Sequence, residues 1–93
     1  MSITFDEQVT WDASMLYVWA NQGSERVRCR AGRETIAELP GYTHADSPTI
    51  AKNKIAIANL LKPSFERKIG ARAFDDGAIK SVTVLRTEVV TEV

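Results

Sequence analysis

The segment from Met15 to Arg30 constrains the fold more than any other part of the chain, because its residue types follow the pattern of a β-hairpin. Residues 15–20 are rich in strand formers. Residues 26–30 alternate strictly between arginine and a smaller apolar residue, which is typical of a half-buried strand. Gly23 lies between these runs and can take the positive φ that tight hairpin turns require. The segment therefore predicts two antiparallel strands joined by a loop at Gln22 and Gly23.

The predicted pairing divides the side chains of this hairpin between two faces of a sheet. A loop at residues 22 and 23 places four pairs opposite each other: Trp19 and Arg26, Val18 and Val27, Tyr17 and Arg28, and Leu16 and Cys29. The aliphatic and thiol groups of these pairs then point into the core, whereas the aromatic and guanidinium groups point outward. A shift by one residue would bury three arginines, so we expect the choice of faces to be strongly specified.

The chain around the hairpin predicts one strand before it and two helices and a strand after it. Residues 3–5 alternate apolar and polar side chains, which indicates a short first strand. A short helix carries Ile36 and Leu39 and ends at Pro40-Gly41. The last strand is predicted from Ile79 to Val90.

The second helix is predicted to be the longer one. Ser47-Pro48 supplies an N-cap and a first-turn proline. Apolar residues recur after it close to helical spacing, at Ile50, Ile57, Leu61, Phe65 and Ile69. Pro63 removes one backbone hydrogen bond and either kinks this helix or divides it in two, and we favour a break.

These elements predict an α+β fold in the order β-β-β-α-α-β, with an antiparallel sheet and with a short helix and a long, Pro63-interrupted helix on one face. The 93 residues are too few for two ordinary domains, so residues 1–93 are expected to form one domain. Residues 87–93 are expected as a frayed tail or as an extension of the edge strand.

Charge and cysteine usage restrict the function. Twelve basic and twelve acidic residues give a formal net charge of zero, so no global field draws the chain to nucleic acid or to an anionic membrane. Cys29 is the single cysteine, so no internal disulfide can form. The N-terminal residues do not resemble a signal peptide, and the apolar run from Ile55 to Leu61 is too short to cross a bilayer. We therefore expect a cytoplasmic protein without a membrane partner.

Short motifs along the predicted elements resemble those of a known family. They are Ile3-Thr4-Phe5, Trp11-Asp12, Val18, Val27-Arg28-Cys29, Glu34-Thr35-Ile36, Asn53-Lys54, Phe65-Glu66-Arg67 and Phe74-Asp75-Asp76-Gly77. In these motifs the chain resembles a bacterial family of small proteins, domain-of-unknown-function family 1488, over most of its length. Because that family has no established activity, the resemblance implies the fold and a bacterial, cytoplasmic origin but no function.

The chain departs from the family pattern at three places. Ala31-Gly32 replaces a helix start that usually contains serine, Lys54 replaces an arginine, and Ala58 stands where an acidic residue is common. Because of these departures, a site that the family shares around the long helix need not be present in this chain.

Cys29 and His44 are the one nucleophile–base pair that the composition allows. Cys29 lies on the predicted core side of its strand, where a buried thiol is inert, and His44 lies in a polar loop. A structural zinc site needs four ligands, commonly Cys or His, and His44 with Asp46 supplies only two. The nucleotide-binding and zinc-protease motifs GxGxxG, GxxxxGK[ST] and HExxH are absent, so we expect no metal and no cofactor.

The outward side of the hairpin is the most distinctive constellation. It combines two aromatic residues with a row of arginines: Tyr17, Trp19, Arg26, Arg28 and Arg30, with Arg33 beyond. Arginines neutralise phosphates and aromatic rings stack on bases, so this surface is suited to single-stranded nucleic acid. Alternatively, the guanidiniums cover the rings through cation–π contacts on a solvated face, or pair with Glu25 and other acids, an interpretation that the zero net charge favours.

The last strand offers a second surface. Its β-branched residues form a predicted self-association edge at Val82, Val84, Thr87 and Val89. Pairing through Trp11 and Trp19 is the other predicted route to self-association. Thr-Glu-Val occurs at residues 87–89 and again at residues 91–93, where it also resembles a ligand of PDZ domains. Our leading hypothesis is a non-enzymatic interaction or accessory module that binds a second copy or an unknown protein partner. Nucleic-acid binding is the runner-up, and a Cys29-dependent enzyme is third.

Overall fold

The computed structural model describes residues 3–90, which form a four-stranded sheet with its helices on one side. In chain order the elements are β1 (Thr4–Trp11), β2 (Met15–Gln22), β3 (Glu25–Gly32), α1 (Arg33–Ile36), α2 (Ser47–Lys52), α3 (Lys54–Gly70), β4 (Ser81–Val84) and a 3₁₀ turn (Arg86–Glu88). The strands follow the order β1-β2-β3-β4 across the sheet. The predicted α+β fold is confirmed.

The hairpin of β2 and β3 has the predicted faces but a different pairing. Trp19 lies opposite Arg28 and Val18 opposite Cys29, so each partner is two residues further along than expected. The loop is Gly23-Ser24, and Gly23 has a φ of 63°, which favours glycine at the first position of a two-residue turn. Because the shift is an even number of residues, every side chain stays on its predicted face.

Strand β1 is longer than predicted because it contains a bulge. Its pairing with β2 shifts between Phe5 and Val9, and after this irregularity Val9 lies opposite Val18. The intervening residues 6–8 are polar, and the bulge accommodates them without placing charges in the core.

Two predictions about the last strand are wrong, namely its direction and its length. Three strands are antiparallel as predicted, but β4 pairs parallel to β3, so the sheet is mixed. The chain leaves one end of β3 and passes through the helices before it returns to the other end, which makes the two strands run in the same direction. The predicted strand from Ile79 to Val90 contains only four strand residues, because the chain turns at Leu85 into the 3₁₀ turn. The Leu85 N–H donates to the Glu88 carboxylate at 2.9 Å, which stabilises that turn.

The helices begin and break at places other than those predicted. Asp46 rather than Ser47 caps α2, with its carboxylate accepting the N–H of Thr49 at 3.0 Å. The break lies at Asn53, between α2 and α3, and α3 continues through Pro63. The Asn53 side-chain amide donates to the Thr49 carbonyl at 2.8 Å, which stabilises the end of α2.

The core lies between the inner face of the sheet and α3. The helices contribute to this core the five residues whose spacing predicted a buried helix face. All five are fully buried: Ile50, Ile57, Leu61, Phe65 and Ile69. Two side-chain hydrogen bonds join segments that are distant in the chain. Trp11 Nε1 donates to Ser47 Oγ at 2.9 Å, and Thr35 Oγ1 donates to the Val84 carbonyl at 2.8 Å. No helix between residues 3 and 90 is both long and apolar enough to span a membrane.

Candidate functional site

The side of the sheet opposite the helices carries the arginine and aromatic residues that the sequence singled out. We call this surface the outer face, and its central residues are Tyr17, Trp19, Arg26, Arg28 and Arg30. Strand alternation places them there, because each is followed or preceded by a fully buried core residue of the same strand. Arg26 is exposed and the other four are partly exposed.

The aromatic rings of the outer face lie under arginine side chains. The Arg26 guanidinium carbon lies 4.7 Å from the centroid of the Trp19 ring, and that of Arg28 lies 5.6 Å from the centroid of Tyr17. These contacts are diagonal in the sheet, because Trp19 is directly opposite Arg28. The cation–π packing that the sequence offered as an alternative is therefore present on this face.

Two of the three arginines are already neutralised by acidic side chains. Arg26 forms an ion pair with Asp6. Arg30 forms an ion pair with Asp75 at 3.1 Å, and its Nε donates to Thr83 Oγ1 at 3.1 Å. Neither acid was identified from the sequence as part of this surface, because each belongs to a segment distant in the chain. The outer face is therefore less cationic than its row of arginines implied.

Arg28 differs from its two neighbours. Its guanidinium has no acidic partner within the described residues 3–90, and its buried Nε makes no hydrogen bond. It lies in the middle of the face, between Trp19 on β2 and Ser81 on β4. The Nε is enclosed by the protein, but the side chain as a whole is partly exposed, so an external carboxylate or phosphate would pair with the terminal nitrogens of the guanidinium.

Asp75 orders the edge of the outer face. Its carboxylate accepts hydrogen bonds from Thr83 Oγ1 at 2.7 Å and from Arg30 at 3.1 Å. Burial alone would raise the pKa of Asp75, but these two partners outweigh it and hold the pKa below the ordinary value of 3.8. The ionised carboxylate of Asp75 therefore holds the Arg30 side chain against β4.

Arg33 is not part of the outer face. It is the first residue of α1, beyond the end of β3, and it lines a separate groove together with residues of β4 and the 3₁₀ turn. The structure thus brings together five of the six residues predicted for this surface.

The four residues of the predicted self-association edge do not form one exposed strand. Val82 and Val84 point into the core, Thr87 is exposed in the 3₁₀ turn, and Val89 packs against the core. The second Thr-Glu-Val, residues 91–93, lies outside the described residues.

The carbonyl groups along this edge of β4 have partners from the same chain. The Ser81 carbonyl accepts the N–H of Asp75 at 2.8 Å, and the Thr83 carbonyl accepts the Lys68 ammonium at 2.8 Å. An added strand would need these acceptors. We therefore do not base our proposal on this edge.

The structure does not bring Cys29 and His44 together. Cys29 has no exposed surface, and burial raises the pKa of its thiol to about 12. His44 is exposed in the loop before α2, beside Thr43 and Thr49. Among residues 3–90 there is also no group of three or more His, Cys, Asp or Glu side chains placed to hold a metal ion.

Comparison with known proteins identifies the fold. No protein-family model and no curated protein matches the chain. Among solved structures, it is similar to the crystal structure of a protein of unknown function from domain-of-unknown-function family 1488 of Shewanella loihica PV-4. The TM-score is 0.63 and the sequence identity 23%, over 87% of this chain and 91% of the other. The resemblance inferred from the sequence motifs is thus confirmed at the level of the fold.

Proposed function

We propose that this protein is a non-enzymatic interaction module that binds another protein through the outer face of its sheet. The observation that supports this function is the partly exposed pair Tyr17 and Trp19 beside Arg28, whose guanidinium lacks an acidic partner within residues 3–90. Tyrosine, tryptophan and arginine are the residue types most enriched among those that dominate binding energy in protein interfaces.

The chemistry of the outer face favours a partner that presents a carboxylate next to an apolar or aromatic group. The carboxylate would pair with Arg28, and the apolar group would cover Trp19. Two copies of this chain are a poorer match, because outer faces docked about a two-fold axis near their centres would bring the two Arg28 guanidiniums together. The partner we propose is therefore a different protein with an acidic binding segment.

Photo-crosslinking tests this proposal in a lysate of the native host. A benzoyl-phenylalanine at Thr10, which is exposed beside Tyr17, should capture one acidic protein, whereas the same probe at Glu66 on α3 should not. The adduct should disappear in Arg28→Gln and Trp19→Ala variants. It should persist in Arg67→Gln, which removes an exposed arginine from the opposite side of the molecule.

The loss expected in each outer-face variant is roughly thirtyfold in affinity, which corresponds to the ~2 kcal/mol typical of a dominant interface residue. An adduct that survives Arg28→Gln, an adduct formed only with a second copy of the chain, or no adduct at Thr10 would each contradict the proposal.

Single-stranded nucleic acid is the second candidate for the same face. The observation that favours it is the pairing of two aromatic rings with guanidiniums, an arrangement that stacks bases and binds phosphates. The ion pairs of Arg26 and Arg30 with acidic residues weigh against it. Fluorescence anisotropy with a labelled oligothymidylate separates the two: binding that weakens with salt and is lost in Arg28→Ala would support nucleic acid over protein.

We place this function in the cytoplasm. The support is chemical: the single cysteine is a free thiol enclosed in the core, so the fold does not depend on an oxidising compartment.

A further inference from the structure

An open groove lies at one end of the sheet, away from the centre of the outer face, and we call it the end groove. It has a volume of about 590 Å³. Four segments contribute its walls: the β1–β2 turn with the start of β2, the start of α1, the end of β4, and the residues that follow β4. This volume is within the range of roughly 300–1,000 Å³ that small-molecule sites occupy.

The topology of the sheet places the end groove where β3 and β4 both end. These two strands are the parallel pair of the sheet, so their carboxyl ends meet at the same edge. The groove contains Gly32 at the end of β3 and Val84 at the end of β4. In open α/β sheets, ligands commonly bind in the crevice outside the carboxyl ends of the parallel strands, and the end groove has the corresponding position in this mixed sheet.

The charge of the end groove favours an anion. Among residues 3–90, its lining contains Arg33 and Arg86, both exposed, against a single acidic residue, Glu34. Within the part of the chain that the structure describes, neither arginine forms an ion pair. Asp46 lies near enough to interact with Arg33 through space but does not form an ion pair with it, so both guanidiniums keep hydrogen-bond donors for a ligand.

The acidic side chains next to the end groove are already engaged. Asp12 accepts the backbone N–H groups of Ser14 and Met15 at 3.0 and 2.7 Å. Glu88 accepts the Leu85 N–H at 2.9 Å and the Lys68 ammonium at 3.0 Å. These bonds direct both carboxylates to other partners, so they do not neutralise the two arginines of the groove.

The remaining walls of the end groove are largely apolar. Leu85 is 56% exposed there, which is high for a leucine, and the partly buried Met15 also lines the groove. Ala13 adds a methyl group at the rim, held at a positive φ of 75°. None of the described residues that line the groove is aromatic, so these residues cannot stack on a nucleobase.

We propose that the end groove binds a small organic anion, with its carboxylate or phosphate head on the guanidiniums of Arg33 and Arg86 and its apolar body along Leu85 and Met15. Arginine is suited to both heads because its planar fork donates two parallel hydrogen bonds to two oxygens. The proposal is independent of the outer face, since the two surfaces share none of the arginines involved.

Titration calorimetry with four probes tests the site: octanoate, octyl phosphate, 1-octanol and inorganic phosphate. We expect the full-length protein to bind octanoate or octyl phosphate more tightly than either of the other two, since only these probes combine an anionic head with an apolar body. The tighter of the two identifies the head group. The double variant Arg33→Gln, Arg86→Gln should weaken binding about tenfold or more, because it removes the charge-assisted hydrogen bonds.

Two further variants make the result specific. Arg67→Gln, an exposed arginine outside the groove, should leave the affinity unchanged. Leu85→Ser should weaken octanoate binding and leave inorganic phosphate unaffected. Arg28→Gln should not change octanoate binding, so a failure of the groove and a failure of the outer face can be told apart.

Three results would overturn the proposal. The first is no binding of either anion at millimolar concentration. The second is an affinity that the double arginine variant does not change, and the third is 1-octanol binding as tightly as octanoate. Each would mean that the two guanidiniums do not form an anion site.

Discussion

Cys29 shows how the surroundings of one residue decide its chemistry. Its side chain has no exposed surface, and burial raises the pKa of the thiol to about 12. At pH 8 only about one thiol in 10,000 is then ionised, and the thiolate is the reactive form.

We expect iodoacetamide to leave Cys29 unmodified in the folded protein during a time in which the urea-unfolded chain is fully alkylated. Mass spectrometry of the intact protein measures both reactions. Alkylation of the folded protein at the rate of the unfolded chain would contradict the buried environment described here.

Asp75 is the acidic residue on which the edge of the outer face depends most. Replacing it in Asp75→Asn removes the ion pair with Arg30 and weakens the bond from Thr83. We expect the free energy of unfolding to fall by roughly 1–3 kcal/mol, measured by urea denaturation at pH 7. Asp76→Asn is the matched control, because Asp76 is exposed, and it should change stability by less than about 0.5 kcal/mol.

The same residue makes part of the stability depend on pH. Because the folded-state pKa of Asp75 is lowered, its contribution is complete above the ordinary value of 3.8 and is lost as pH falls through the lower folded value. The difference in unfolding free energy between wild type and Asp75→Asn should therefore shrink below about pH 3.8. A difference that stays constant down to pH 2 would show that the carboxylate charge is not what stabilises this edge.

Sequence reasoning found the arginines of the outer face and expected acidic partners, but it named Glu25, which pairs with Arg72 and Lys80 instead. Alternation along β3 is a local pattern, so it predicts on which side Arg26, Arg28 and Arg30 lie. The Arg30–Asp75 pair joins residues 45 positions apart and exists only because β4 returns beside β3. No local pattern contains that information.

At the scale of elements, the hairpin shows what alternation can and cannot specify. A strand repeats its faces every two residues, so a pairing shifted by two residues buries the same side chains. The core members Leu16, Val18, Val27 and Cys29 were therefore predicted correctly although their partners were not. The position of the turn determines which of the two pairings forms. The turn lies at Gly23-Ser24 because of its backbone geometry, and the hydrophobic pattern contains no information about that geometry.

Helix α3 shows the opposite case, in which packing overrides a local signal. Pro63 disfavours a continuous helix, but Leu61 and Phe65 on either side of it are both fully buried against the sheet. Breaking the helix at Pro63 would disturb that packing. The carbonyl that Pro63 leaves without a donor belongs to Asn59, which is exposed to water.

We expect Pro63→Ala to stabilise the protein by roughly 1–2 kcal/mol, because it restores the bond to the Asn59 carbonyl and removes the ring clash. Thermal or urea unfolding measures the change. Pro48→Ala is the matched control: Pro48 lies in the first turn of α2, where no bond is missing, so its replacement should not stabilise. A destabilised Pro63→Ala variant would show that the proline ring itself contributes to packing.

At the scale of the whole molecule, one side of the sheet is covered by helices and the other is open. The arginines on the open side meet acids of the same chain, in keeping with a formal net charge of zero. The Ser81 and Thr83 carbonyls at the β4 edge already have partners in the same chain, and two docked outer faces would bring their Arg28 guanidiniums together. We therefore expect the isolated protein to be monomeric at tens of micromolar. Light scattering after size exclusion measures this, and a dimer of the wild-type protein at that concentration would contradict it.

The parallel position of β4 has a consequence for synthesis on the ribosome. The first three strands are contiguous in sequence, so they can pair as soon as residues up to Gly32 have emerged. Until residues 81–84 follow, the backbone of β3 that they will cover remains open to other chains. The interval between the emergence of Gly32 and that of Ser81 is therefore the period in which the nascent protein is most exposed to aggregation and to recognition by chaperones.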